Sequence, residues 1–355
     1  MIEILHAADF HLDSAFSSLP PALAGERRRE QRRALEQLAQ LCEGCDLVLL
    51  PGDLFDSARI YRDTLDALKR FFASVSAQIF IAPGNHDYLT EGSPYLTEDW
   101  GANVHIFKEN EISCVHLDGC DVYGAAFTAP ESAPLLQNFR VENPEKKNLM
   151  LLHGELQANS VYDPISPEDI AASGLDYLAL GHVHLCGQRQ CGKTLCAWPG
   201  CLMGRGFDEC GEKGVLRVSL GESGCQTRFV PLAVRKYEIL QVPAGDDALA
   251  SALAALPEQT QRDCYRILLT GEAENVDAAA VEEALRSRFY TLSVRDRTVP
   301  KQVLWEAAGE DTLRGHFLSD LRAQYEASAE EAQKRKIAAA AKLVTALMDG
   351  REVAP

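Results

Sequence analysis

The chain of 355 residues has no run approaching the ~18–20 consecutive apolar residues that a membrane-spanning helix needs, so a membrane protein of that kind is not expected. Its opening Met-Ile-Glu-Ile-Leu-His lacks the basic start of a secretory signal peptide. Positive charge is in short supply: 35 Lys and Arg stand against 52 Asp and Glu, a net of −17. That deficit argues against a chain that wraps nucleic acid unaided, because phosphate affinity comes from clustered cations. There is no internal repeat, and no low-complexity stretch beyond the four alanines at 338–341. At 46% hydrophobic and 25% charged residues the composition is that of an ordinary globular protein, which sets aside disorder and whole-chain coiled coil. Eleven cysteines, odd in number and with no leader, read as reduced thiols rather than a disulfide framework. The expectation is a soluble cytoplasmic protein of two or three domains, at roughly 100–200 residues per domain.

From residue 1 to 233, short apolar runs alternate first with helical patterns and then with further strands. The runs at 2–8, 46–50 and 78–82 are separated by helix-length segments, 26–42 with Leu35, Leu38 and Leu41 on one face, and 61–74 with Leu65, Leu68, Phe71 and Phe72. The chain therefore opens βαβαβ. Later runs (104–107, 120–127, 149–152, 177–180, 194–199, 215–220 and 226–232) are mostly strands, with 221–224 as a hairpin loop. An α/β layered sandwich with mixed sheets is predicted for 1–233. Residues 234–302 read as strand, helix, strand, helix, strand, a small α/β domain. In 303–355, Leu313, Phe317, Leu321 and Tyr325 recur every four residues and Ile337, Leu343, Val344, Leu347 and Met348 continue the stripe, so a helical tail is predicted, either a helix pair or one long broken helix. The stripe packs on its own catalytic domain or docks a partner.

Five short motifs follow apolar runs: Asp9-Phe10-His11, Gly52-Asp53-Leu54-Phe55-Asp56, Gly84-Asn85-His86-Asp87, His153-Gly154 and Gly181-His182-Val183-His184. Each places His, Asp or Asn just past a strand, and open α/β sheets bind ligands outside the carboxyl ends of their strands. One such motif alone is usually a polar turn; five in chain order are not coincidence. The donors are carboxylates, imidazoles and one amide carbonyl with no thiolate, a set suited to hard-to-borderline divalent ions such as Mn²⁺. Asp9, His11 and His184 can hold one ion and Asn85, His153 and His182 the other, with Asp53 bridging, an arrangement suited to in-line phosphoryl displacement. His86 is the candidate to stabilise the transition state and protonate the leaving oxygen, with Asp56 or Asp87 orienting it. His6, His105, His116 and His316 fall outside the pattern, His6 as a core histidine.

The basic cluster Arg27, Arg28, Arg29, Arg32 and Arg33 has two readings, phosphate contact near the site or a solvated helix face paired with Glu26 and Glu30. Cys42 and Cys45, and the set Cys186, Cys191, Cys196 and Cys201, have zinc-like spacings, but five-residue steps along strands alternate faces, and buried small hydrophobes account for them better.

The ordered set Asp9/His11, Gly52-Asp53, Gly84-Asn85-His86-Asp87, His153 and Gly181-His182-Val183-His184 resembles the calcineurin-like metallophosphoesterase superfamily across most of residues 1–232. More narrowly, residues 4–12, the 52–56 motif, Pro199-Gly200-Cys201-Leu202, Phe207-Asp208-Glu209 and Gly211-Glu212-Lys213-Gly214 are similar to the SbcD-type DNA repair exonucleases and the YhaO-like phosphoesterases. Asp13 after His11-Leu12, where SbcD-like chains have Gly, leans toward the YhaO-like branch. The resemblance implies a four-layer calcineurin-like fold with a small α/β cap and a helical tail. It further implies two divalent ions, Mn²⁺ first with Fe²⁺, Mg²⁺ and Zn²⁺ as alternatives, and DNA and a coiled-coil ATPase of the SbcC or YhaN-like type as partners. A homodimer is left open, and no membrane partner is expected. The expected activity is DNA exonuclease or endonuclease cleavage. The rivals are a small-molecule or nucleotide phosphodiesterase or phosphatase, and a regulatory subunit of the ATPase, because metal ligands alone do not specify a substrate.

Overall fold

The computed structural model describes residues 1–273, 276–299 and 304–348. The expected boundary at 302–303 and the end of the tail at 349–355 lie outside the described residues. Two compact units are formed, one from Met1–Ile239 with Arg262–Tyr265, the other from Leu240–Gln261 and the described residues from Arg266 onward.

The first unit runs β1 (Ile2–His6), α1 (Pro21–Leu41), β2 (Leu47–Leu50), α2 (Arg62–Ser74), β3 (Gln78–Ile81), α3 (Pro94–Thr97), β4 (Val104–Ile106), β5 (Ser113–His116), β6 (Cys120–Gly124) and β7 (Lys147–His153). It continues with α4 (Pro167–Ser173), β8 (Tyr177–Gly181), β9 (Gly187–Cys191), β10 (Thr194–Trp198), β11 (Gly214–Gly221) and β12 (Gly224–Pro231). These strands make two six-stranded sheets, ordered β12-β11-β1-β2-β3-β4 and β5-β6-β7-β8-β10-β9. β1 to β4 are parallel, as are β6, β7, β8 and β10, while β11, β12, β5 and β9 are antiparallel additions.

The continuous apolar runs are explained by burial on both faces of each sheet, as expected for parallel strands. In β2, Leu47 and Leu49 face a core between the sheets together with Ile4, Phe80, Leu149, Leu151 and Tyr177, whereas Val48 and Leu50 face Leu35 and Leu38 of α1 and Leu68 and Phe72 of α2. In β7 the alternation places Met150 and Leu152 against Ile170 of α4. The layers are thus helices, sheet, sheet, helix, the α/β class predicted.

Where the elements differ from the predicted ones, the reason is local. α1 starts five residues earlier, at Pro21, whose fixed φ suits the first turn of a helix. β5 and β9 are edge strands with few apolar residues, and α4 is too short to show a period. α4 is set by its ends instead: the Ser166 side chain accepts from the Asp169 N–H, and Gly174 closes it at φ 84°. The hairpin at 221–224 is present, with Gly221 opposite Gly224.

β13 (Tyr237–Pro243) and β14 (Cys264–Thr270) each begin in the first unit and end in the second, which also holds α5 (Ala248–Ala255), α6 (Ala278–Leu285) and β15 (Thr291–Asp296); the three strands form a sheet ordered β13-β14-β15. α7 (Leu313–Ala327) and α8 (Glu331–Met348) follow as a helix pair. Among the described residues no helix is long and apolar enough to cross a membrane.

Leu151 is fully buried between the two sheets, so Leu151→Ala is expected to lower stability by about 2–5 kcal/mol, read as a shifted urea midpoint with unchanged slope. Leu313→Ala, at a residue 82% exposed, is expected to change it by less than about 0.5 kcal/mol.

Candidate metal centre

The residues after β1, β2, β3, β7 and β8 gather at one edge of the sandwich, since these strands run parallel within their sheets. The loops after β1 and β2 are joined by backbone bonds, Asp9 N–H to Gly52 O (3.2 Å) and His11 N–H to Asp53 O (2.9 Å). Asp9, His11, Asp53 and His182 all sit at positive φ, 53°, 44°, 52° and 80°. Such conformations cost a non-glycine residue free energy and cluster where function requires them. The glycines beside them answer to crowding: a Cβ on Gly52 would lie 2.3 Å from His153 Nδ1, one on Gly84 2.3 Å from Asp53 Oδ1, and one on Gly181 1.8 Å from Pro51 O.

Two donor clusters share one carboxylate. In the first, His11 Nε2 is 3.1 Å from His184 Nε2, and Asp9, His11 and His184 offer atoms within 4.8 Å of one another. In the second, His153 Nε2 is 2.9 Å from Asn85 Oδ1 and 3.3 Å from His182 Nδ1, and His182 Nδ1 is 3.3 Å from Asn85 Oδ1. Asp53 Oδ2 stands 3.7 Å from His11 Nε2 and 3.4 Å from His153 Nε2, between the two.

The donor set fits a pair of divalent cations. His153 Nδ1 faces Pro51 O at 3.1 Å and His184 Nδ1 faces Glu209 Oε1 at 2.7 Å; each N–H donates there and turns the Nε2 lone pair inward. Lone pairs so opposed repel unless a cation or proton lies between them. Burial pushes His11, His153 and His182 down to about 4, so protons are not held there at neutral pH. Burial pushes the carboxyls of Asp9 and Asp53 up, Asp9 further because Asp53 is its neighbour. Asp9 Oδ1 accepts the His182 N–H at 2.9 Å, but its Oδ2 is buried with no hydrogen-bond partner. Buried carboxylates, neutral imidazoles and an orphaned oxygen together call for positive charge from outside the chain.

His86 stands exposed at the rim, edge-on to His11 with ring centroids 4.8 Å apart. Its backbone N–H donates to Asp53 Oδ1 (2.9 Å) and its Nδ1–H to the backbone carbonyl of Asp56 (3.1 Å). The expected orienting roles are corrected here. The Asp87 carboxylate does not reach the His86 ring: it accepts the N–H groups of Gly84 (2.7 Å), Leu54 (2.7 Å) and Phe55 (3.1 Å) and the Tyr95 hydroxyl (2.6 Å), tying two loops together in a buried position. Asp56 orients His86 through its main chain, while its carboxylate lies 3.3 Å from His11 Nδ1 and 2.8 Å from Arg205.

The phosphate-contact reading is corrected for Arg27. It is fully buried between the rings of Phe16 and Tyr237, paired with Glu30 and donating to Gly204 O (2.9 Å), so no phosphate reaches it. Arg28 lies over the Tyr61 ring and donates to Ala15 O, and Arg32 contacts Asp13 and Thr64; both are partly exposed beside the loop that follows His11.

Sequence reasoning missed Arg205 and Glu209. Against the pull of burial, hydrogen bonds from His184 and Arg205 hold the Glu209 carboxyl far below the usual range, so it stays a carboxylate and fixes the His184 ring. Glu209 was visible only within Phe207-Asp208-Glu209, away from any strand end. Glu155 Oε1, 3.8 Å from His182 Nε2, and Tyr162, whose ring centroid is 4.8 Å from that of His182, were also unmarked.

The family model for calcineurin-like phosphoesterases matches residues 2–186. The uncharacterized metallophosphoesterase YhaO of Bacillus subtilis is 28% identical, the match covering 84% of this chain and 82% of that protein. The DNA double-strand break repair protein Mre11 of Aeropyrum pernix is also 28% identical, over 57% of this chain and 54% of its own. A solved archaeal phosphodiesterase aligns with a TM-score of 0.36 at 14% identity, over 64% of this chain and 100% of that one.

The raised carboxyls give a signed pH dependence. In the metal-free protein their folded-state pKa lies above the unfolded one, so the stability they contribute is complete at low pH and is lost as pH rises through the folded value. Cations bind the deprotonated pair, so the gain in melting temperature from excess Mn²⁺ over EDTA should be larger at pH 7.5 than at pH 5. A site saturated a hundredfold above its Kd adds about 2.7 kcal/mol. An equal gain at both pH values, or an undiminished gain in Asp53→Asn, would contradict the assignment.

Proposed function

We propose that this chain, which belongs to the calcineurin-like phosphoesterase family, is a two-metal phosphodiesterase that cleaves DNA, working as the nuclease subunit of a cytoplasmic complex with a coiled-coil ATPase of the SbcC or YhaN-like type. The observation that carries the two-metal part is the position of Asp53 Oδ2 between the His11 and His153 clusters. Asp9, His11 and His184 would hold one cation, Asn85, His153 and His182 the other, and Asp53 both. Bound there, two divalent cations supply an activated water and neutralise charge on the phosphoryl oxygens; the all-oxygen-and-nitrogen donor set favours Mn²⁺.

The chain's own residues do the rest. Glu209 holds His184 and the Pro51 carbonyl holds His153, so both rings present Nε2 without reorganisation. With Nδ1–H given to the Asp56 carbonyl, His86 keeps Nε2 for a proton that passes to the leaving oxygen. Arg28 and Arg32 are the side chains proposed to meet backbone phosphates.

DNA is favoured by the likeness to Mre11, a DNA break repair protein by name; the YhaO match runs well past a catalytic domain at 1–233 and supports a shared multidomain organisation. We take 234–302 as a cap and 303–355 as a docking tail; Leu343, Leu347 and Met348 on α8 are 46%, 58% and 44% exposed, an apolar stripe suited to a partner helix. The net charge of −17 fits a subunit that relies on its partner for grip on DNA.

Linear, hairpin and circular DNA with Mn²⁺, alone and with the ATPase, test this directly. Cleavage is expected to fall about 10²–10⁴-fold in His86→Ala, with the Mn²⁺-induced melting shift retained, and to vanish with that shift in Asp53→Asn. Turnover of model phosphodiesters without DNA cleavage in any pairing would remove the nuclease reading and leave the metal centre standing; undiminished cleavage in both variants would remove the centre as well.

A further inference from the structure

At the far end of the second sheet from the catalytic loops, a different donor set comes together. β5 pairs antiparallel with β6 so that His116 lies opposite Asp121, and Asp121 in turn lies opposite Asn148 near the start of β7, five residues before His153. Cys114, two residues before His116, stands on the same face of the strand. Cys114 Sγ is 3.6 Å from His116 Nδ1, which is 3.1 Å from Asp121 Oδ1, and the three donor atoms lie within 4.8 Å of one another. Zinc takes sulfur at about 2.3 Å and nitrogen or oxygen at about 2.0–2.1 Å, which makes the edges of its tetrahedron about 3.6 Å for S···N and about 3.3 Å for N···O. The S···N separation in the structure matches that edge, and the N···O separation is slightly shorter than its edge.

Asp121 supplies a second, independent observation. It is 1% exposed, and its Oδ2 is buried without a hydrogen-bond partner, although Oδ1 accepts from Lys146 (2.9 Å) as well as facing His116. Against the pull of burial, Lys146 and His116 hold this carboxyl below its usual range, so it is a carboxylate whose Oδ2 is left over for a further cation. His116 is exposed at the mouth, and its Nε2 lies 3.9 Å from Glu142, the side on which an imidazole ligand is commonly steadied by a carboxylate.

We propose that Cys114, His116 and Asp121 form a second metal site, separate from the catalytic pair and selective for a borderline-soft divalent ion such as Zn²⁺, with a solvent molecule as fourth ligand. Its thiolate distinguishes it from the catalytic centre, which has none. Binding forms the metal–sulfur bond and releases the thiol proton to solvent; burial pushes that thiol up to about 11, so it is a protonated thiol until a cation arrives. The ion would clip the edge strand β5 to β6, where the ladder is exposed on one side.

Cobalt titration of the full chain, with Co²⁺ as the spectroscopic stand-in for zinc, tests the assignment without reference to activity. A thiolate-to-cobalt charge-transfer band should grow to one equivalent, persist in Asp53→Asn, and be lost in both Cys114→Ser and His116→Ala, whose melting temperatures check that they fold. No such band, a band that survives Cys114→Ser, or one that disappears in Asp53→Asn would overturn the proposal.

Discussion

The architecture of this protein is organised around a buried carboxylate that makes no ion pair with a Lys or Arg among the described residues. Asp53 is 1% exposed, sits between His11 and His153, and has beside it a second buried carboxylate, Asp9. Among the described residues no Lys or Arg makes an ion pair with either, and burial pushes the His11 and His153 imidazoles down, away from their charged form. Burying such a pair without a cation is costly, so the fold is complementary to something that carries two or more positive charges. The left-handed backbone at Asp9, His11, Asp53 and His182, and the glycines at 52, 84 and 181 that let neighbouring chains close to within van der Waals contact, are the strain that this complementarity demands.

That strain is tolerated because the two sheets beneath it are rigid. Their strands are buried on both faces, and Asp87, far from assisting the chemistry, spends its carboxylate on three main-chain N–H groups and a tyrosine hydroxyl that lock the loops after β2 and β3. Arg27 performs a similar task on the buried face of α1, its guanidinium enclosed by Phe16 and Tyr237. Two charged residues that look functional in the sequence are therefore parts of the frame.

Legibility followed the physics. Strands of the parallel core were readable because burial on both faces makes them continuous apolar runs, and the donors just past them were readable because a strand end fixes where the next side chains stand. β5 and β9 were not, since edge strands carry polar residues. Glu209 and Arg205 were not, because nothing in local spacing reports that the loop after β10 folds back onto His184. Of the two residues expected to orient His86, Asp56 does so only through its carbonyl and Asp87 does not, because adjacency to His86 in sequence says nothing about which side of the chain the Asp87 carboxylate faces. His116 was passed over as a lone histidine, and only the pairing of β5 with β6 brings Asp121 to it.

In the proposed centre one carboxylate, Asp53, serves two cations. Electron paramagnetic resonance of the protein loaded with two equivalents of Mn²⁺ tests it most directly. The expected spectrum is that of an exchange-coupled pair, converted to that of isolated Mn²⁺ when Asp53 is replaced by Asn. Uncoupled ions in the unmodified protein, or coupling that survives the replacement, would contradict it.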